Sequence, residues 1–259
     1  MKILMIGDIV GNVGRLAVKK ILPRLYTQHN FDMVIANAEN SAGGNGITLE
    51  NADELFSYHI HVLTMGNHVW DKKEILNFID SQPFLIRPAN YPPGTPGKGY
   101  TIVNIGNNIK IAVINLSGVI FLTPLISPFL IIDRLIQEIK EQCSVIIVDF
   151  HAEATSEKVA LGWYLDGKVS AVLGTHTHIQ TADERILPQG TAYITDVGMT
   201  GPRDSVLGVK KEIAINKFLT QMPVKFETAN GVGQLNGVIL NVDHISGQVH
   251  SIIRVQEFI

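Results

Sequence analysis

Short apolar runs recur along this chain, and most are followed by a stretch in which apolar residues return every three or four positions. Uninterrupted runs of Val, Ile and Leu fit strands buried on both faces, and the longer spacing fits one face of a helix. The pattern predicts strands at 2–6, 33–37, 61–65, 100–105, 109–115, 145–150, 169–173, 192–195, 236–243 and 248–255. It predicts helices at 15–26 (kinked or broken near Pro23) and near 48–58, 71–80, 129–141, 156–165 and 209–220. Gly-Asn-Asn at 106–108 joins two of the strands as a hairpin. Strand and helix alternate early, which implies parallel βαβ units; neighbouring strands late in the chain imply antiparallel pairs. The class is therefore α/β. No Ser/Gly/Pro-rich linker or charge run divides the 259 residues, so a single domain over 1–259 is expected. Residues 87–99 carry four Pro and three Gly in thirteen positions, a long loop of the kind that tends to serve function.

Composition removes several classes of function. With 21 basic and 24 acidic residues the formal charge is -3, which gives no global attraction to nucleic acid or an anionic membrane. The single Cys143 rules out an internal disulfide and a thiolate metal cluster, and fits a reducing cytoplasm. The first apolar run, Ile3 to Ile6, is too short for a signal-peptide core, and no window approaches ~18 uninterrupted apolar residues. The longest apolar segment, 121–132, is broken by two prolines. A cytoplasmic protein without a membrane partner is expected, and apolar surface around 121–132 suggests a homo-oligomer.

Chemistry enters at the ends of the strands. Asp8 follows the first run, Glu39 the second, Asn67 the third and His151 a later one; His176 and His178 follow the run at 171–173 within G-T-H-T-H at 174–178. In open α/β sheets ligands bind beyond the carboxyl ends of the strands, and all six side chains lie there. Each alone has a plain structural use: Asp8 could cap a helix, Asn67 could hold a turn. Together they supply two carboxylates, three imidazoles and one amide, a donor set for two divalent ions roughly 3.5–4 Å apart with Glu39 as the bridge. Two such ions against two carboxylates leave excess positive charge, which suits a phosphate ester. Water on such ions loses its proton near neutrality, so a metal-bound hydroxide is the expected nucleophile. His68, next to Asn67, is placed to protonate the leaving oxygen as general acid. His29, His59, His61, His244 and His250 have no such placement. The loop S-A-G-G-N-G at 41–46 matches no phosphate-binding fingerprint and reads as a flexible lip. Loops 87–99 and 197–204, with Arg87 or Arg203, are candidates for the substrate rim.

The chain resembles the calcineurin-like metallophosphoesterase superfamily, whose pattern is D-x-H, G-D-x-x-D, G-N-H-[DE], a lone His and G-H-x-H. The counterparts are D-I-V at 8–10, N-A-E-N at 37–40, G-N-H-V at 66–69, His151 and G-T-H-T-H at 174–178. Two positions depart: Val10 stands where the pattern has His, and Glu39 where it has the bridging Asp. Those departures, with G-D-I-V-G at 7–11, T-M-G-N-H-V-W-D-K-K-E-I at 64–75, D-F-H-A-E-A-T-S-E-K at 149–158 and Y-I-T-D-V-G-M-T-G-P at 193–202, resemble the YmdB-type phosphodiesterases of bacteria. The resemblance implies a four-layer α/β/β/α sandwich, two stacked mixed sheets flanked by helices. It implies a dinuclear iron-type site and hydrolysis of cyclic nucleotides, 2′,3′-cAMP first and 3′,5′-cAMP as a second candidate. One metal would take Asp8, Glu39 and His178; the other Glu39, Asn67, His151 and His176; Asn40 would substitute where Val10 cannot ligate. Ligand type alone suits Fe, Mn or Zn, and iron comes from the resemblance. Competing expectations are a phosphomonoesterase or nucleotidase, and a metal-binding regulatory protein with negligible turnover. RNA as substrate lacks a basic stripe or stacking aromatics in the sequence, although a small loop would escape that argument.

Overall fold

A computed structural model of the chain describes residues 1–106 and 109–259. The strands are β1 (Lys2–Ile6), β2 (Asp8–Ile9), β3 (Met33–Asn37), β4 (Val62–Thr64), β5 (Leu85–Ile86), β6 (Tyr100–Ile105), β7 (Ile109–Ser117), β8 (Val145–His151), β9 (Ala171–Thr175), β10 (Arg185–Ile186), β11 (Ala192–Ile194), β12 (Met199–Pro202), β13 (Gly233–Val242) and β14 (Val249–Phe258). The helices are α1 (Gly11–His29), α2 (Leu49–Ser57), α3 (Pro128–Lys140), α4 (Thr155–Tyr164) and α5 (Lys211–Thr220). The first sheet runs β2-β12-β13-β1-β3-β4-β5, with β14 on the other edge of β13; the second runs β10-β11-β9-β8-β7-β6. Both are mixed. In the first, β1, β3, β4 and β5 are parallel and β13 is antiparallel to β1. In the second, β7, β8, β9 and β11 are parallel, edged by antiparallel β6 and β10.

Alternation along each strand stacks the layers. On β8, Val145 and Ile147 pack between the sheets against Ile3, Met5 and Ile35, while Ile146, Val148 and Phe150 pack outward against Ile132, Ile139 and Leu161 of α3 and α4. On the far side, Leu4, Ile6, Val34 and Ala36 meet Val18, Ile21 and Leu22 of α1 and Leu55 of α2. The result is the expected four-layer sandwich. The antiparallel pairing of β6 and β7 is present, Tyr100 opposite Ile114; the turn read at 106–108 lies partly outside the described residues.

Three local expectations fail for physical reasons. Helix α1 neither breaks nor ends at Pro23 but runs through to His29. An internal proline costs ~3 kcal/mol, whereas burying one Val, Leu or Ile side chain returns ~1.5–3 kcal/mol; Val18, Ile21, Leu22 and Leu25 are all buried here. The stretch near 71–80 forms two short 3₁₀ turns, Lys73–Asn77 and Ile79–Ser81, not an α-helix. Its Glu74 carboxylate accepts the Leu49 N–H at the start of α2, and tight connectors of this length favour 3₁₀ geometry. Residues 199–202, read as loop, form β12 beside β2. That pairing explains Gly7: a Cβ there would lie 1.9 Å from the Gly198 carbonyl oxygen. Among the described residues, no helix is long and apolar enough to cross a membrane.

The space between the sheets changes character along the strands. It is apolar where they begin and polar where they end: Asn37 on β3, Thr64 on β4, Asn115 on β7, Asp149 and His151 on β8 and Thr175 on β9 are all buried. Polar groups at this depth require partners, and those partners build the site.

Candidate metal centre

The seven side chains expected as metal ligands, from five separate stretches of chain, come together in one place. His151 Nε2 lies 2.9 Å from Glu39 Oε1, 3.1 Å from Asn67 Oδ1 and 3.0 Å from His176 Nδ1. Asn40 Nδ2 lies 3.4 Å from Glu39 Oε1 and 3.2 Å from His178 Nε2, and His178 Nε2 is 3.9 Å from Asp8 Oδ1. Asp8, Glu39, Asn40 and His151 are buried. Glu39, His151 and His176 bring their ligand atoms within 4.8 Å of one another. Val10, at the position of the missing imidazole, is buried and packs beneath Gly208.

Each imidazole is oriented by a bond from its far nitrogen. Thr175 Oγ1 donates to Asp149 Oδ1 at 2.7 Å and accepts from His151 Nδ1 at 2.9 Å. His176 Nε2 donates to Glu153 Oε2 at 2.8 Å, and His178 Nδ1 donates to the Leu207 carbonyl at 2.9 Å. All three rings thus turn their other nitrogen toward the centre, the arrangement by which proteins orient metal-binding histidines. Asp149, which the motif reading passed over, also accepts from Thr64 Oγ1 and from Asn37 Nδ2 at 3.3 Å. Its position two residues before His151 on one strand face was the available signal.

The loop after β9 is held under strain. His176 and His178 have φ of 105° and 67°, a region that residues other than glycine seldom occupy. Lys158, fully buried, donates to the Thr175 carbonyl at 2.7 Å and pairs with Asp196 at 2.6 Å; Asp196 in turn accepts the Thr177 N–H at 3.0 Å. Gly66 admits no side chain: a Cβ would sit 2.2 Å from His151 Cδ2 and 2.4 Å from Glu39 Oε2.

These residues fit a cationic occupant. Asp8 Oδ1 is buried without a hydrogen-bond partner, a costly state for a carboxylate oxygen. Burial resists charge on His151, yet Glu39 beside it, with Asp8 and Asp149, raises its pKa to about 9. Burial alone would raise Glu39, but His151 and His68 pull it down to about 2. Burial and the neighbouring His151 charge push His176 down to about 3, so it stays neutral. Burial raises Asp8 above the usual carboxylate range, against the pull of His178 and His151. A proton on His151 thus supplies the positive charge that this ring of oxygens and nitrogens demands.

The family model for YmdB-like proteins matches residues 4–255. The chain belongs to that family. It is 55% identical over 243 residues to a Bacillus subtilis protein named 2′,3′-cyclic-nucleotide 2′-phosphodiesterase, covering 94% of this chain and 92% of that one. Among solved structures, a Thermus thermophilus protein described as hypothetical superposes with a TM-score of 0.94 at 41% identity, covering 100% of this chain and 99% of that one. A Mycoplasma pneumoniae protein described as a novel phosphatase gives 0.94 at 37% identity, covering 100% and 93%.

In this YmdB-like chain the centre opens into a cleft of about 510 Å³. His68 lines it, 37% exposed, with Nδ1 2.8 Å from Asp71 Oδ2. Its backbone N–H donates to Glu39 Oε2 at 3.0 Å, so main chain and ring face different tasks. The expected rim is corrected. Arg87 is buried and spends its guanidinium on the carbonyls of Pro88, Thr95 and Pro96. Arg203 lies over the Phe258 ring, 4.4 Å from its centre. Neither lines the cleft; its walls come from 43–45, 207–209 and 226–228. The Gly43–Gly44 stretch is the lip.

Proposed function

We propose that this chain is a two-metal phosphodiesterase that hydrolyses cyclic nucleotides, 2′,3′-cAMP and also 3′,5′-cAMP, with His68 as general acid. Its standing as an enzyme, a phosphoric diester hydrolase, rests on family membership and 55% identity to the Bacillus protein. The observation that carries the finer reading is the turning of three buried or half-buried imidazoles toward Asp8, Glu39 and Asn67. One ion would be held by Asp8, Glu39 and His178, with Asn40 after a half-turn of its amide; the other by Glu39, Asn67, His151 and His176. Iron is our choice of metal, with manganese or zinc suited by the same donors. When bound, such ions polarise phosphoryl oxygens and bring the pKa of a water to ~7.

The chain's own residues do the rest. Lys158 and Asp196 hold the loop that carries His176 and His178. Asp71 fixes the His68 ring with Nδ1 engaged, leaving Nε2 to give its proton to the departing ribose oxygen. No Lys or Arg occurs among the described residues lining the cleft, while Glu39, Glu153 and Glu227 do. A singly charged diester suits that lining better than a doubly charged monoester, which favours a diesterase over the phosphomonoesterase alternative. The reading includes a cytoplasmic setting and self-association through exposed Phe121 and Leu130. Parallel assays should show faster turnover of bis-p-nitrophenyl phosphate than of p-nitrophenyl phosphate. Faster cleavage of the monoester, or saturable binding of 2′,3′-cAMP with no product, would reject it.

A further inference from the structure

The metal ligands occupy one part of the cleft, and a ledge of different chemistry adjoins it. Segments 206–210 and 226–229 are stitched together by main-chain bonds, Lys210 N to Glu227 O at 3.0 Å and Ala229 N to Gly208 O at 2.8 Å. This ledge presents Leu207, Val209, Phe226 and Thr228 to the cleft. Phe226 is 53% exposed and Leu207 46% exposed, apolar groups left in water beside a site built for an anion. Leu207 is held at φ 53°, an unfavourable conformation for a branched side chain. Its carbonyl is the acceptor that orients His178, so the ledge and the centre are joined through a single residue. Gly43 and Gly44 line the same cleft without side chains, and a Cβ on Gly44 would come 2.8 Å from Thr228 Cγ2. Flat glycine backbone and an exposed phenyl ring in one cleft leave room for a planar group.

We propose that the Phe226 ledge is a nucleobase subsite: the base of the substrate stacks on the Phe226 ring, against Leu207 and Val209, while its phosphodiester lies at the metal ligands. This rests on the cyclic-nucleotide reading above and adds the part of the substrate that reading leaves unassigned. Phe226 is the one phenyl, phenol or indole ring among the described residues of the cleft. Every base has a π-face, so stacking tolerates any of them. The polar side chains on and beside the ledge are half-buried or exposed: Thr228 is half-buried, and exposed Glu227 and Asn45 pair with Lys210 at 2.6 Å and with Asp71 at 2.9 Å. They do not form the buried donor–acceptor set that strict base selection requires. The subsite therefore accepts purines of either kind and prefers them to pyrimidines through the larger stacked area.

The test compares 2′,3′-cAMP with glycerol 1,2-cyclic phosphate, a small cyclic diester without a base, on wild-type protein, Phe226→Ala and Phe226→Trp. Phe226→Ala should raise KM for 2′,3′-cAMP about 5- to 150-fold, the equivalent of ~1–3 kcal/mol for one stacked base. It should leave kcat for that substrate, and kcat/KM for the base-free diester, unchanged. Phe226→Trp should restore KM. Adenosine should inhibit the wild type competitively and the alanine variant only weakly. Equal losses on both substrates, or no change on either, would overturn the subsite. Failure of the wild type to cleave either diester would instead count against the function on which the subsite rests.

Discussion

Replacing His151 by alanine should leave the chain short of metal and lower phosphodiester hydrolysis by about 10³–10⁵-fold, the rate equivalent of the several kcal/mol that bound cations supply. Its Nε2 is the atom on which Glu39, Asn67 and His176 converge. Its Nδ1 takes its bearing through Thr175 from Asp149, and the ring is fully buried. The ring is fixed there: Gly66 lies against it with no room for a Cβ, and strand β8 is paired on both edges. Elemental analysis and a diester assay read the two effects separately. Circular dichroism checks that the variant is folded, since Glu39 and Thr175 lose a partner in it. A His151→Ala protein with full metal content and wild-type rate would remove this residue from the centre.

His68→Ala should behave in the opposite way: kcat for 2′,3′-cAMP falls about 10²–10⁴-fold, the usual worth of a positioned general acid, while metal content is unchanged. The geometry separates the two roles within one residue. The contact to Glu39 comes from the His68 backbone N–H, which alanine retains, whereas the ring bonds to Asp71 and faces the cleft. The leaving group sharpens the test. A ribose alkoxide needs a proton to depart; p-nitrophenolate does not. Hydrolysis of bis-p-nitrophenyl phosphate should therefore lose far less than hydrolysis of the cyclic nucleotide. Equal losses on both, or metals lost along with activity, would contradict the assignment.

The site was legible because strand periodicity and chemistry coincide. A buried strand must turn polar where it leaves the core, so Asp8, Glu39, Asn67, His151, His176 and His178 stand out at the ends of apolar runs. Those ends share one edge of the fold because the strands that carry them run parallel. Alternation also separates Val145 and Ile147 from Ile146 and Val148, which is enough to demand a layer on each side of β8. Asp149 was equally visible by that alternation but carries no motif signal. What was not legible depends on partners distant in sequence. The strand at Met199–Pro202 has Gly and Pro in four residues and exists because β2 and β13 pair with it. The course of α1 through Pro23 is decided by the sheet beneath it. Arg87 looked like a phosphate contact and is a brace for its own loop. Phe226 lies in a stretch without periodicity, and only the bonds between 206–210 and 226–229 bring it to the cleft.

These side chains are proposed to hold a pair of cations on which diester cleavage depends. Elemental analysis of the purified wild-type protein, read beside its rate on 2′,3′-cAMP before chelation, after chelation and after metal is returned, tests it most directly. Two ions per chain are expected, with a rate that disappears when they are removed and comes back when they are returned. Protein stripped of metal that still cleaves the cyclic nucleotide at full speed would contradict it.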